Sequence, residues 1–328
     1  MRLTPACLLL VLALLAPPVS AAPPSVEKRQ SRRAEVQQVV HQVLEGGMSV
    51  PAATSRLRLL REEAHAAGLL AQALPTLVEE RRVRDAVAVL AGLETRAAEP
   101  TLARLASDRD GPVRMYAAQG LGRLRSRHTQ VLLPLLSDKS SGVRREAARA
   151  LGVSGTAALG RKLVAAARTE PDLETRAVML EAAGAAGDRK QARALEGFLD
   201  DSSESTRFAA ARGLCRLGSP QGFAFARKLL ASEDRFVRRQ GLTLHEGLAL
   251  KSIRPTLRPL LADKDRGLAA GAARILSQAG DRTMREWLVL ASWNAQGEEK
   301  LLYEKELEAL HLADDERRAL LRKAGVAP

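Results

Sequence analysis

The sequence predicts an all-α protein, an α-solenoid made of stacked helix pairs. The first observation is an internal repeat: the segment from Asp108 to Gly122 recurs 30 residues later, from Asp138 to Gly152. The second is the composition, in which aromatic residues are only 3% of the chain, as suits helices packed through small side chains. Self-similarity at a period of about 20–50 residues is typical of stacked repeats.

Residues 1–21 have the features of a secretory signal peptide. Arg2 supplies the positive charge, an apolar run extends from Cys7 to Ala16, and small residues at 19–21 form a cleavage site. The apolar run is much shorter than the roughly 20 residues of a membrane-spanning helix. We therefore expect an exported protein, periplasmic or secreted, with no membrane span after the signal peptide. An uncleaved anchor stays open as the alternative.

Cleavage would leave Cys215 as the single cysteine, which excludes an internal disulfide and a cysteine-based zinc site. Cys215 follows Gly213 and Leu214 in an apolar helical pattern, so we expect a buried, unreactive thiol. The formal net charge of +13 favours acidic partners: nucleic acid, anionic lipid, polysaccharide or acidic protein. Export makes nucleic acid the least expected of these.

The rest of the chain divides into four predicted segments. Residues 22–32 are polar and contain prolines, and they predict a disordered linker. Residues 33–74 predict N-terminal capping helices, the first marked by valines at 36, 39, 40 and 43. Residues 75–297 contain about seven helix-pair repeats, and residues 298–328 predict charged C-terminal capping helices. The aromatic residues Trp287, Trp293 and Tyr303 fit a packed cap better than an aromatic binding patch.

The repeats are marked by one recurring pair, Val-Arg or a close variant, at intervals of 30 to 32 residues. Small or apolar residues follow four and five positions later, one helical turn on, where neighbouring helices approach closely. The positions are Val83-Arg84, Val113-Arg114, Val143-Arg144, Thr175-Arg176, Thr206-Arg207, Val237-Arg238 and the degenerate Leu268-Ala269.

With Asp138, Val143-Arg144, Ala147-Ala148 and Leu151-Gly152, the chain resembles the HEAT-like repeats of the phycobilisome-lyase type. The resemblance covers roughly residues 75–297. It implies right-handed stacking of helix pairs with a concave face that grips a partner. It carries little information on function, because such repeats serve as scaffolds in unrelated proteins.

Some proteins of the wider group are enzymes, and the sequence departs from each of them. Nothing in an exported, aromatic-poor chain favours the bilin lyases. Deoxyhypusine hydroxylase holds two irons with four His-Glu pairs, whereas only His245-Glu246 occurs here. HEAT-like DNA glycosylases share the basic character, but the export signal and the position of the tryptophans argue against that activity. We expect no catalytic, cofactor-binding or metal-binding residues.

The arginines of the recurring Val-Arg pairs form a column that admits two interpretations. This column could line one face and bind phosphates or carboxylates. The favoured interpretation is structural: an acid precedes most of the arginines by six residues, caps the next helix, and the arginine ties adjacent turns together. Ser232 takes the place of the acid before Arg238, and Asp263 keeps it where the arginine has become Ala269. The predicted ladder is Asp108, Arg114, Asp138, Arg144, Glu170, Arg176, Asp201, Arg207 and Arg238.

A second basic set lies outside this column and is the candidate partner surface, although a solvated basic surface explains it slightly better. It comprises Arg123, Arg125, Arg127, Arg161, Lys162, Arg189, Lys190, Arg227, Lys228, Arg254 and Arg258. The sequence thus favours a non-catalytic exported scaffold that binds a protein partner. The alternative is a module that binds a polyanion, such as envelope polysaccharide, anionic lipid or nucleic acid, through its basic surface.

Overall fold

The computed structural model describes residues 26–187 and 189–326, and every regular element in these ranges is a helix. Residues 1–21, for which the sequence predicts a signal peptide, lie outside the described residues. The chain divides into two compact units, residues 1–101 and 102–328. None of the described helices is long and apolar enough to cross a membrane.

The first unit contains four helices, connected by short turns and two 3₁₀ segments. They are α1 (Val26–Leu44), α2 (Val50–Leu60), α3 (Glu63–Ala73) and α4 (Glu80–Gly92), with 3₁₀ turns at Leu74–Thr76 and Arg96–Ala98. The valines at 36, 39, 40 and 43 are all buried, because their spacing of three and four residues places them on one face of α1. This part of the sequence prediction is confirmed.

Helix α1 begins earlier than the sequence suggests. The prediction of a disordered linker over residues 22–32 is wrong from Val26 onward, while residues 22–25 lie outside the described residues. Glutamate, lysine, arginine and glutamine dominate this stretch, and all four are good helix formers. Tertiary contacts add to this preference, since Arg29 and Arg33 reach the carboxylate of Glu62 at 3.3 and 3.5 Å.

The second unit is a succession of helix pairs, and the unit boundary falls within α5 (Glu99–Leu105). The first helices of the pairs are α6 (Gly111–Arg123), α8 (Ser141–Ser154), α10 (Leu173–Ala185), α12 (Glu204–Leu217), α14 (Arg235–Thr243) and α16 (Arg266–Gln278). The second helices are α7 (Thr129–Leu132), α9 (Ala157–Thr169), α11 (Ala192–Glu196), α13 (Pro220–Leu230), α15 (Leu250–Leu257) and α17 (Thr283–Asn294), with 3₁₀ segments at Pro134–Ser137, Arg189–Gln191 and Arg258–Ala262.

Small residues let consecutive first helices approach closely. A Cβ atom added to Gly184 in α10 would lie 2.3 Å from the Cα of Gly213 in α12. One added to Gly152 in α8 would lie 2.8 Å from the Cβ of Ala182. The alanine pairs that follow four of the marked positions, at 117–118, 147–148, 210–211 and 272–273, are fully buried. Glycine and alanine therefore set the spacing of the stack.

Two charged helices, α18 (Gly297–Glu308) and α19 (Asp314–Lys323), close the second unit. The Tyr303 ring is buried and meets the Trp287 ring edge to face, with centroids 6.0 Å apart. Both belong to the apolar core that α16 and α17 share with α18. Trp293, in contrast, is 52% exposed. Two of the three aromatic residues thus pack the cap.

Candidate functional site

A guanidinium joins two successive turns at the start of the second unit. Nε of Arg114 donates to Oδ2 of Asp138 at 2.7 Å, and Nη2 donates to Oδ1 at 2.9 Å. The remaining nitrogen, Nη1, donates to the carbonyls of Asp108 and Arg109 in the turn before its own helix. The two side chains are 10% and 8% exposed. One arginine thereby ties its own turn to the turn of the next repeat.

The same contact recurs along the unit, and we call the set the arginine ladder. Arg144 binds Glu170 through Nε and Nη2 at 2.7 and 2.6 Å, and its Nη1 donates to Asp138 O. Arg176 reaches Asp201 at 3.4 Å, and Arg238 pairs with Asp263. In the first unit, Arg84 pairs with Glu80 of its own helix at 2.9 Å.

Each acid of the arginine ladder also closes its own turn. The carboxylates of Asp138, Glu170 and Asp201 accept a hydrogen bond from the backbone N–H two residues further on, at 2.9 to 3.0 Å. The residue reached in this way, such as Asp172 or Ser203, is the one that caps the following helix. The expectation that the turn acid is itself the cap is therefore wrong. The acid fixes the turn that presents the cap.

The electrostatics of these pairs favour the charged forms. Burial opposes ionisation of Asp138, but the hydrogen bonds from Arg114 and from the Ser140 N–H outweigh it and hold its pKa below the usual range. The same balance of burial against hydrogen bonds lowers the pKa of Asp263. The hydrogen bond to Asp138 raises the pKa of Arg114.

The arginine ladder is interrupted at Arg207. The residue 25 positions after Arg176 is Asp201 and the one 25 after Arg238 is Asp263, but the residue 25 after Arg207 is Ser232. Ser232 Oγ accepts from the Asp234 N–H at 3.2 Å, so it keeps the turn-closing bond and supplies no charge. Arg207 forms no ion pair with any residue that the structure describes.

A second set of ion pairs, which was not predicted from the sequence, is formed by arginines in the C-terminal halves of the first helices. We call it the charge row. Arg274 donates to Glu246 at 2.8 Å and to Glu306 at 2.5 Å, and Arg212 lies 3.6 Å from Glu181 and 3.8 Å from Glu246. The triplet Ala-Ala-Arg, which recurs at 210–212 and 272–274, was the available sequence signal. Burial opposes the charge of Arg274, but its bonds to both glutamates raise its pKa.

The residues of the predicted partner surface lie in several helix pairs, some at the joints between helices and some within the second helices. Arg123, Arg125 and Arg127 lie at one joint between the helices of a pair, and Arg189 and Lys190 lie at another. Arg161 and Lys162 lie within α9, and Arg227 and Lys228 in the last turn of α13. Arg254 and Arg258 converge on the buried carboxylate of Asp281, at 2.9 and 3.7 Å. The structure thus gathers these residues in small groups.

The His245-Glu246 pair is divided between two environments. Glu246 belongs to the charge row, whereas His245 is fully buried, with Nδ1 3.1 Å from Gly241 O and its ring facing Phe223. Nε2 of His245 has no hydrogen-bond partner among the described residues. Burial lowers the pKa of His245 and raises the pKa of Cys215 to about 12. In the described ranges, no group of three or more His, Cys, Asp or Glu side chains could hold a metal ion.

Together, the helix pairs and the arginine–carboxylate contacts between them define an α-helical repeat protein. The sequence matches the family of HEAT repeats over residues 70–152, 98–184 and 160–245, which together span more than half of the chain. The chain therefore belongs to the HEAT repeat family, and the predicted all-α solenoid fold is confirmed. A search of curated protein sequences gave no significant match.

Two solved structures are similar to this chain at low sequence identity. The complex of CpcE and CpcF of phycocyanin lyase from Nostoc sp. PCC7120 is similar with a TM-score of 0.51 and 18% identity, over 74% of this chain and 94% of that chain. An archaeal HEAT-like repeat protein from Thermococcus onnurineus NA1 aligns at 16% identity with a TM-score of 0.39, over 78% of this chain and 98% of that chain.

Proposed function

We propose that the protein is a non-catalytic, exported scaffold that binds a protein partner through the surface of its helix pairs. Membership of the HEAT repeat family supports this, since such proteins commonly serve as interaction scaffolds. Stacked repeats provide an extended surface to which each repeat contributes the same small set of positions. Export is supported by the sequence features of residues 1–21.

One observation carries the choice of a protein partner over a polyanion. The periodic arginines would be the natural contacts for a phosphate polymer, because they recur at a regular spacing. Instead, Arg114 and Arg144 each hold a carboxylate of the same chain with two hydrogen bonds. Their side chains are only 10% and 13% exposed. The most regular basic feature of the chain is thus engaged internally.

Apolar side chains on the surface also support a protein partner. Phe236, in the first turn of α14, is 69% exposed, and Leu173, in the first turn of α10, is 47% exposed. Both lie among charged groups beside the turns that hold the arginine ladder. Aromatic and aliphatic anchors within a polar rim are typical of protein–protein interfaces.

Polyanion binding is the second candidate function. The observation that favours it is the group of exposed cations on the second helices, since Lys162, Arg227 and Lys228 have no ion pair with a described residue. If these cations bind a polymer, affinity falls steeply with added salt, because binding releases counterions.

Affinity capture from envelope extract, with the chain from Ala22 immobilised, tests the two functions. We expect a protein that is retained at moderate salt and captured less well by Phe236→Ser. The matched control is Val78→Ser, which removes a 95% exposed side chain from the first unit. Capture of acidic polymers alone, lost as salt rises, would support the second candidate instead. Recovery of the full-length chain in the cytoplasmic fraction would contradict export.

A further inference from the structure

We propose that the interruption of the arginine ladder at Arg207 is a binding site for a single carboxylate, supplied by an acidic side chain or the C-terminus of a protein partner. The inference rests on the proposed function, because it names the chemical group of the partner that this surface recognises. It comes from comparing Arg207 with the intact pairs at Arg114 and Arg144.

Arg207 is held in the orientation of the paired arginines. Its Nη1 donates to the carbonyls of Asp201 and Ser202 at 2.7 and 2.9 Å. In Arg114, Nη1 donates to the equivalent carbonyls of Asp108 and Arg109 at 2.7 and 3.0 Å. These bonds fix the plane of the guanidinium. The edge formed by Nε and Nη2 therefore faces the direction from which Arg114 receives a carboxylate.

That edge of Arg207 has no partner among the described residues. In Arg114 and Arg144, Nε and Nη2 donate two parallel bonds to Asp138 and Glu170. Ser232 stands at the corresponding position for Arg207, and its hydroxyl oxygen accepts from the Asp234 N–H but carries no negative charge. A fixed guanidinium fork is already organised for a carboxylate. No described residue supplies a carboxylate to Nε and Nη2 of Arg207.

A cleft that an external group can enter lies beside Arg207. Arg207 lines a cleft of about 610 Å³ together with Lys228, Gln221 and Phe225. Lys228 is exposed and forms no ion pair with any described residue. The cleft therefore offers two cations, an amide and an aromatic ring to one incoming acidic residue. Such a mixture of charge and apolar surface suits a peptide segment.

The acids of the cleft set the limit on the ligand's charge. Glu196, Asp200 and Asp201 line the same cleft. Asp201 is engaged by Arg176 and by the Ser203 N–H, but Glu196 and Asp200 repel a ligand with several negative charges. A singly charged carboxylate can bind Nε and Nη2 of Arg207 with the least repulsion from these two acids. A phosphate dianion or a polyanion is disfavoured.

The test is a titration of the full-length chain, observed through the arginine Nε–H signals by nuclear magnetic resonance, with the Arg207 signal assigned from Arg207→Lys. Sodium acetate is the probe, with sodium chloride and inorganic phosphate at matched ionic strength as comparisons. We expect acetate to shift the Arg207 signal in a saturable manner. Phosphate should bind at least about tenfold more weakly, and chloride should give no saturable shift.

Ser232→Asp should restore the missing acid, abolish the acetate response and raise the melting temperature. Ser232→Asn is the matched control, because it adds similar volume without charge and should keep the response. The proposal is overturned if acetate gives no saturable shift, if Ser232→Asp responds like the parent, or if phosphate binds more tightly than acetate. A partner captured without any acetate response would leave the proposed function standing. Acetate binding without any captured protein would support the carboxylate site and count against the proposed function.

Discussion

Arg144 and Glu170 share two parallel hydrogen bonds, Nε to Oε2 at 2.7 Å and Nη2 to Oε1 at 2.6 Å, and the Glu170 side chain is only 2% exposed. The pair joins the first turn of α8 to the turn before α10, so it links two successive repeats. A buried ion pair adds little net stability compared with apolar packing, but losing one partner strands the other charge. Such a contact can fix how neighbouring repeats align.

Arg144→Ala should therefore destabilise the fold strongly. The substitution leaves the Glu170 carboxylate buried without its counter-ion, and we expect the free energy of unfolding to fall by about 3–5 kcal/mol. Urea denaturation followed by circular dichroism measures this change. Arg149→Ala is the control in the same helix, because that side chain is 51% exposed and its removal should cost at most about 1 kcal/mol. An unchanged urea denaturation curve for Arg144→Ala would contradict a structural role.

Much of the fold follows from sequence periodicity, because each repeat solves the same packing problem with the same residues. Three features recur at intervals of 30 to 32 residues: the Val-Arg positions, the small residues after them and the turn acids. The helix pairs lie at the positions that this periodicity predicts. The start of α1 was not predictable in this way. Its first turns have no apolar periodicity and are supported by the distant Glu62.

The contacts of the candidate site were only partly predictable. Spacing shows that Arg144 follows an acid by six residues, but not that it pairs with the acid of the next repeat, because that depends on how two helix pairs stack. The charge row was hidden for the same reason, since Arg212 and Glu246 are far apart in the chain. Ser232 is visible in the sequence as a missing acid. The structure adds that Arg207 is held in a fixed orientation, with Nε and Nη2 free of any described partner.

Gly184→Ala should disrupt the contact between α10 and α12. The added Cβ would lie 2.3 Å from the Cα of Gly213 and 2.6 Å from its carbonyl oxygen, so the helices must separate. We expect a loss of about 1–3 kcal/mol, as for other overpacked interiors. Gly68→Ala in α3 is the matched control, because nothing lies within 4 Å of the new Cβ. It should stabilise the chain by about 0.5–1 kcal/mol, and equal effects of the two would refute the packing argument.

Asp138→Asn should reveal the charge of the arginine ladder through its pH dependence. The pKa of Asp138 is lowered in the folded state, so its contribution is complete above the unfolded pKa of about 3.9 and is lost as pH falls through the folded pKa. At pH 7 we expect the variant to be less stable by about 1.5–3 kcal/mol. The difference should shrink below about pH 4.

Urea denaturation of both proteins from pH 7 to pH 3 provides the measurement for Asp138→Asn. Asp200→Asn is a suitable comparison, since Asp200 is exposed and has no ion pair with a described residue. At pH 7 it should stay within about 0.5 kcal/mol of the parent. A difference for Asp138→Asn that persists unchanged at pH 3 would show that the effect is steric and not one of charge.

His245 should make the protein lose stability in mild acid. Burial lowers its pKa, and the positive charge of Arg227 lowers it further. Above the unfolded pKa of about 6.5, both states are neutral and the histidine contributes no pH dependence. Below that value the unfolded chain takes up a proton that the folded chain resists, so the free energy of unfolding decreases until the folded pKa is reached. His245→Leu should remove this slope between about pH 6.5 and 5, whereas His41→Gln, at an exposed position of α1, should keep it. A parent protein equally stable at both ends of that range would disprove the assignment.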